Sequence, residues 1–169
     1  YIWVAGRNND VSNSGVEFKA PATQHQLKIR PETFVWPIYG FKNARTRALN
    51  VGLEPPFRPL WRFNANQLLE FSPILVRCVL YVFRKDSRVY ATNANSGRQI
   101  WAHKVGKLSA ASPAYHDGRI FVVTLSGRVV ALSAKSGNIK WAKRLDSRSE
   151  SSPLILGRSV IFGSESGKL

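Results

Sequence analysis

The chain has 169 residues, of which 44% are hydrophobic and 11% aromatic, a content that excludes an intrinsically disordered polypeptide and suits one ordinary core. Twenty-five lysines and arginines against ten acids give a formal charge of +15, a surface that attracts polyanions such as nucleic acid, anionic lipid or wall polymers. The cations are spread along the chain, however. Even the densest runs, Lys42–Arg47 and Lys140–Arg148, lack the five or six consecutive like charges of a nucleic-acid-binding tail. Nucleic acid is therefore not the indicated partner, and the basic surface reads as solvated.

In chain order, "YIWVA" at the start is too short to span a bilayer, which takes about 20 apolar residues. It reads either as the tail of a removed membrane helix, with Tyr1 and Trp3 at the interface and Arg7 beyond, or as a frayed end. Residues 7–31, rich in Asn, Ser and Gln, complete an N-terminal tether over 1–31. Residues 32–60 then lead into the main domain through "FVWPIYGFKNARTRALN" and the stiff, proline-rich "EPPFRPLW".

From Trp61 the sequence repeats. Trp61, Trp101 and Trp141 stand forty residues apart, and the rows they open align without a gap. Ser72-Pro73, Ser112-Pro113 and Ser152-Pro153 coincide, as do Leu80, Ile120 and Val160, Ala91 and Ala131, and Gly97 and Gly137. Each row begins its regular structure with a short β-branched and aromatic run, "CVLYVF", "RIFVV" or "SVIF", which predicts a strand buried on both faces. A polar turn follows (Lys85–Ser87, Leu125–Gly127, Glu165–Gly167), then a second strand, "RVYAT" or "RVVAL". The Ser-Gly turn comes next, where Gly97 and Gly137 can take positive φ cheaply. A third strand carries the tryptophan, and a fourth starts at the Ser-Pro pair, where proline sacrifices no ladder hydrogen bond.

Four short antiparallel strands every forty residues describe a β-propeller blade. Residues 61–169 are thus predicted to be all-β, a partial propeller with no helix longer than about two turns. A blade must stack on its neighbours, and a tryptophan at one fixed place per repeat can fill the gap between them. The Ser-Gly turn is expected to aim the tryptophan that follows it at that gap, with Trp101 and Trp141 equivalent and largely buried. The chain has no methionine and its third row stops on "SGKL". It reads as a piece of a longer protein, with an incomplete last blade and the segment around Trp36 either draped over the first blade or loose.

The residues that could carry chemistry are few. Cys78 is the one cysteine, which rules out an internal disulfide or a CxxC site and suits a small buried hydrophobe. His25, His103 and His116 have no metal-ligand spacing. Asp86 and Asp117 fall in turns. Glu70, just before Phe71-Ser72-Pro73, is the acid placed to face a central channel, with an ordinary surface position as the plainer reading.

"ATNANSGRQIW" and "ALSAKSGNIKW" resemble the A-x-D-x-x-T-G-x-x-x-W motif of the PQQ-like repeats, the tryptophan-docking repeats of quinoprotein propellers. Asn93 and Ser133 replace the usual Asp, and serines 96 and 136 the usual threonine, which is expected to weaken turn hydrogen bonds without changing the fold. On this resemblance the repeat motif residues are Trp61, Ala91, Gly97, Trp101, Ala131, Gly137 and Trp141. The W…YG…RTR stretch at 34–50 is similar to the first segment of such propellers, which often supplies a strand to the last blade and closes the ring. The whole resembles bacterial membrane-anchored propellers held outside the cell by one N-terminal helix.

The resemblance implies two functions. One is a non-catalytic extracytoplasmic scaffold or binding module, with a protein or an anionic envelope polymer as partner and no cofactor. The other is a fragment of a quinoprotein dehydrogenase using PQQ and calcium, which calls for carboxylate and amide ligands, a catalytic Asp and often a vicinal Cys-Cys pair. One cysteine and the few acids in the repeats favour the scaffold, and a fold by itself does not license an oxidoreductase. No catalytic, cofactor-binding or metal-binding residue is assigned.

Overall fold

The computed structural model describes residues 28–52, 55–64 and 66–167. Residues 1–27 of the expected tether lie outside them, as do Lys168 and Leu169. The regular structure is β throughout, in three antiparallel sheets, with no helix among the described residues. Blade one comprises β2 (Ile74–Val76), β3 (Val79–Phe83), β4 (Arg88–Asn93) and β5 (Gln99–Lys104), with β1 (Val35–Trp36) added at its edge. Blade two comprises β6 (Ala114–His116), β7 (Arg119–Val123), β8 (Arg128–Ser133) and β9 (Ile139–Arg144). Of blade three, β10 (Leu154–Leu156) pairs with β11 (Ser159–Ile161). This is the partial propeller expected from the repeat.

The apolar runs form the strands because both of their faces are covered. Side chains alternate between the faces of a strand, and here each face meets a different neighbour. Tyr81, Phe83, Val89 and Ala91 of blade one pack on Ile120, Val122, Val130 and Leu132 of blade two. The intervening residues Phe121, Val123, Val129 and Ala131 point the other way, towards Phe162 and Val160 of blade three. The free face of blade one is lined by Leu80, Val82 and Thr92. Trp61, Phe63, Leu69 and Phe71 cover it around a cavity of about 300 Å³. The first strands β2, β6 and β10 approach one another while the outer strands diverge, so the sheets fan from a common inner edge.

The blades are offset from the sequence rows. Each starts just after its Ser-Pro pair and ends on the strand that carries the tryptophan, because Ser-Pro opens the inner strand that pairs with the apolar run following it. Turn chemistry fixes the hairpins. Asp117 and Gly118 both have positive φ (43° and 70°), as a two-residue type I′ connection requires. Both complete blades carry a bulge at the same place, between Ala91 and Thr92 and between Ala131 and Leu132.

The lead-in segment takes the first of the two courses expected of it and drapes over blade one. β1 pairs with β2 at the inner edge of that blade, with Val35 opposite Val76 and Trp36 opposite Leu75. It thereby satisfies an edge of exposed peptide groups, and Pro37 ends the strand after two residues. The chain then continues as a strap across the other two blades. Tyr115 N on β6 donates to Pro37 O (2.7 Å). Asn43 Nδ2 donates to Ile155 O on β10 (2.9 Å). Ile38, 3% exposed, anchors the crossing.

Gly137 tests the fold most directly. At φ +72° an added Cβ would lie 2.5 Å from Cε3 of Trp101. Gly137→Ala is expected to cost roughly 2–4 kcal/mol, combining left-handed backbone strain with overpacking. At Gly118 (φ +70°) an added Cβ meets nothing within 4 Å, so Gly118→Ala should cost only about 1–2 kcal/mol. Urea denaturation of the two variants measures the difference.

Candidate functional site

The repeat-motif residues assemble into a clasp between blades. Trp101, on β5 of blade one, reaches the Ser-Gly turn of blade two, where its Nε1 donates to Ala134 O (2.9 Å) and its ring lies against Gly137. Trp61 repeats this one blade earlier, donating to Ala94 O (2.7 Å) and lying against Gly97. Each Ser-Gly turn is therefore the seat for the tryptophan 36 residues upstream of its glycine, not a device that aims the tryptophan that follows it. Ala91 and Ala131 face Trp101 and Trp141 across the strand pair, where opposed Cβ atoms are only about 5 Å apart and a larger side chain would crowd the indole.

Trp141 does not share the buried setting expected of it. It packs on Phe121 (centroids 5.9 Å) yet is 37% exposed, because no Ser-Gly turn lies over it among the described residues. Trp61 and Trp101 are the equivalent pair. The two turns also differ in strength. Asn93 Oδ1 accepts from Asn95 N, Ser96 N and Ser96 Oγ at 2.9–3.1 Å, whereas Ser133 Oγ accepts from Ser136 N at 3.4 Å. Asn thus substitutes fully for the usual Asp, and Ser only weakly.

Tyr81 completes the clasp. Its hydroxyl donates to Ala134 O (3.0 Å), the same carbonyl that receives Trp101. Burial, with a contribution from Tyr115, pushes its pKa up to about 12. Elsewhere in blade one, Arg84 lies over Tyr90 (5.3 Å) and donates from Nε to Asp86 Oδ1 (2.8 Å). That hydrogen bond holds the Asp86 carboxyl below its usual range. Asp86 thus serves a turn, as does Asp117.

The acids do not converge. Glu70 is exposed and pairs with Lys85 (3.4 Å). It shares a groove of about 520 Å³ with Glu150, Phe71 and Ser109. Among the described residues no three His, Cys, Asp or Glu side chains gather where they could hold a metal ion. Calcium takes 6–8 oxygen ligands, usually including several carboxylates, so the donors on these residues do not fit a calcium–quinone centre.

The most concentrated polar chemistry lies on the strap. Residues 40–47 fold back on themselves, with Arg47 N donating to Gly40 O (3.2 Å) and Arg45 N to Lys42 O (2.7 Å). Phe41, Arg45 and Arg47 all have positive φ (74°, 51° and 54°), a conformation costing about 1–3 kcal/mol for each such residue. The loop sets Arg47 and Arg45 over Tyr39 (4.7 and 5.8 Å) and Lys42 over Phe41 (5.4 Å). Arg47 Nη2 also donates to the Tyr39 hydroxyl. Phe41 stacks on Phe34 and tilts against Trp36 (6.1 and 5.0 Å). Beside it opens a cavity of about 390 Å³ lined by Phe34, Trp36, Tyr39, Arg47, Leu75 and Leu80.

Sequence reasoning missed this loop and half of the clasp. The acceptors Ala94 O and Ala134 O are main-chain atoms that no side-chain identity reveals. The loop did carry a signal, since Tyr39 and Phe41 directly precede the dense basic run 42–47.

The sequence profile described as "Outer membrane protein assembly factor BamB" matches residues 59–169. No curated protein matches the chain. Among solved structures, the europium-containing methanol dehydrogenase superposes with a TM-score of 0.67 at 22% identity, over 79% of this chain and 27% of that one. The quinohemoprotein alcohol dehydrogenase from Comamonas testosteroni gives 0.58 at 21% identity, over 76% and 23%. BamB from Moraxella catarrhalis gives 0.54 at 23% identity, over 62% and 33%. At these identities the likeness is one of fold, and the chain spans about a quarter to a third of each structure.

The Tyr81 bond sets an alkaline limit. A raised pKa means that the neutral phenol stabilises the fold fully below the unfolded value of about 10 and that this stability is lost as pH rises towards 12. Thermal melts between pH 8 and 12 should show a fall that starts near pH 10. Tyr81→Phe should cost about 1 kcal/mol at pH 8 and flatten that fall.

Proposed function

Because the chain belongs to the BamB family of PQQ-like repeat propellers, we propose that it is a non-catalytic, extracytoplasmic and membrane-associated propeller module that binds a protein partner. The observation that supports this most is how its motif residues are used. Both seated indoles, both seating glycines and the Tyr81 hydroxyl are committed to joining blades. Among the described residues the acids of the repeats form no metal-binding group of three, and Glu70, Asp86 and Glu165 are in ion pairs. What is left for function is surface, and the surface is basic, at +15 for the chain. The family is named for an outer membrane protein assembly factor, which supports a place outside the cytoplasm with a protein partner, and in this reading residues 1–31 serve as the tether.

The competing dehydrogenase reading is tested by loading. A ligand at 100 times its dissociation constant stabilises the native state by about 2.7 kcal/mol. With PQQ and calcium added to the full-length protein, the melting temperature should stay where it was. A saturable rise of several degrees, lost on chelation, would overturn the binding-module reading.

A further inference from the structure

We propose that the strap loop 39–47 and the cavity beside it form a docking site for an acidic peptide segment of the partner protein. An apolar side chain of that peptide enters the cavity, and its carboxylates meet Arg47, Arg45 and Lys42. This rests on the binding-module reading and gives it a location and a chemistry.

Four observations carry it. First, the three cations are exposed and lie within six residues, and none makes an ion pair among the described residues. Asp117 lines the groove on the far side of the strap with Lys42, but the two do not pair. Residues 33–53 contain no acid at all, so the charge on the strap is left for something outside it. Second, the loop keeps three non-glycine residues at positive φ. Strain of this kind concentrates where a fixed geometry is used, and here it holds the guanidinium groups of Arg45 and Arg47 over one tyrosine ring.

Third, the cavity of about 390 Å³ matches the smaller class of ligand pockets, being apolar-walled with Arg47 at its edge. Tyr, Trp and Arg are also the residue types that dominate binding energy where proteins meet. Fourth, the strap is bonded to all three blades, so the site is carried on a braced element and needs little ordering to bind.

The same geometry argues against other polyanions. Phe34, Trp36 and Phe41 are half-buried and packed on one another, so they form walls of a concave site and not anchors for a flat lipid surface. A nucleic acid backbone needs cations spaced along a track, whereas these three lie within one six-residue loop.

The test uses the full-length protein and a fluorescent twelve-residue peptide of aspartate and glutamate with one central leucine. Fluorescence anisotropy should show saturable binding that weakens at least about tenfold between 50 and 300 mM salt, as a charge-steered contact does. The triple variant Lys42→Glu, Arg45→Glu, Arg47→Glu should lose at least about thirtyfold in affinity. If its melting temperature falls, Lys42→Gln with Arg45→Gln leaves the Arg47–Tyr39 contact in place and should still lose about fivefold. Replacing the peptide leucine by serine should weaken binding several-fold, because the cavity then goes unfilled.

Peptide affinity unchanged by either set of variants would overturn the proposal, as would no binding at all. So would binding only to phosphatidylglycerol vesicles that the triple variant abolishes, which would make the loop a membrane contact. A protein that ignores the peptide and is also unmoved by PQQ and calcium loses this docking site but keeps the binding-module reading. One that is stabilised by PQQ and calcium loses that reading whatever the peptide does.

Discussion

One carbonyl group holds the first two blades in register. Ala134 O receives the indole N–H of Trp101 and the hydroxyl of Tyr81, both from blade one. It sits in a turn whose glycine leaves room for the flat of the indole. A sheet with two apolar faces has no preferred position against its neighbour from burial alone, since burial is non-directional. Directed hydrogen bonds to a single main-chain atom supply that position. They are made where the surroundings are partly dry, so leaving any of the three groups unpaired would carry a desolvation penalty. The apolar contacts between Phe83, Val89, Val122 and Val130 then follow.

The strap works at the opposite edge of the blades. The clasps tie an indole to the next Ser-Gly turn, whereas the strap runs along the inner strands and gives β2 an edge partner. A two-residue strand contributes little by itself. Its value lies in covering peptide groups that would otherwise face solvent unpaired, and in carrying a tight loop of cations and rings to the inner edge. The loop of cations and rings is therefore carried on a segment outside the repeat. The repeat itself is occupied with holding its own blades together.

Much of this was legible from the residues. The forty-residue spacing and the runs "CVLYVF" and "RIFVV" carry strand, turn and strand without reference to anything distant, because a run with both faces apolar is stable only as a sheet between two others. Gly97 and Gly137 were legible as turn residues, since positive φ is a local property. Their second role was not. That an indole 36 residues upstream lies on each of them depends on how one blade stacks on the next. For the same reason Trp141 looked identical to Trp101 in sequence and differs from it in exposure.

The sequence by itself determined the all-β class, the period, the turn positions and the scarcity of ligand-forming acids, all of which follow from residue type and spacing. Only the tertiary structure decided which turn seats which tryptophan, that the lead-in segment lies on the first blade, and that Lys42, Arg45 and Arg47 meet Tyr39 and Phe41 beside a cavity. These are relations between segments far apart in the chain or folded tightly back on themselves. They are set by which main-chain groups remain unpaired after the sheets form, and no local pattern records that.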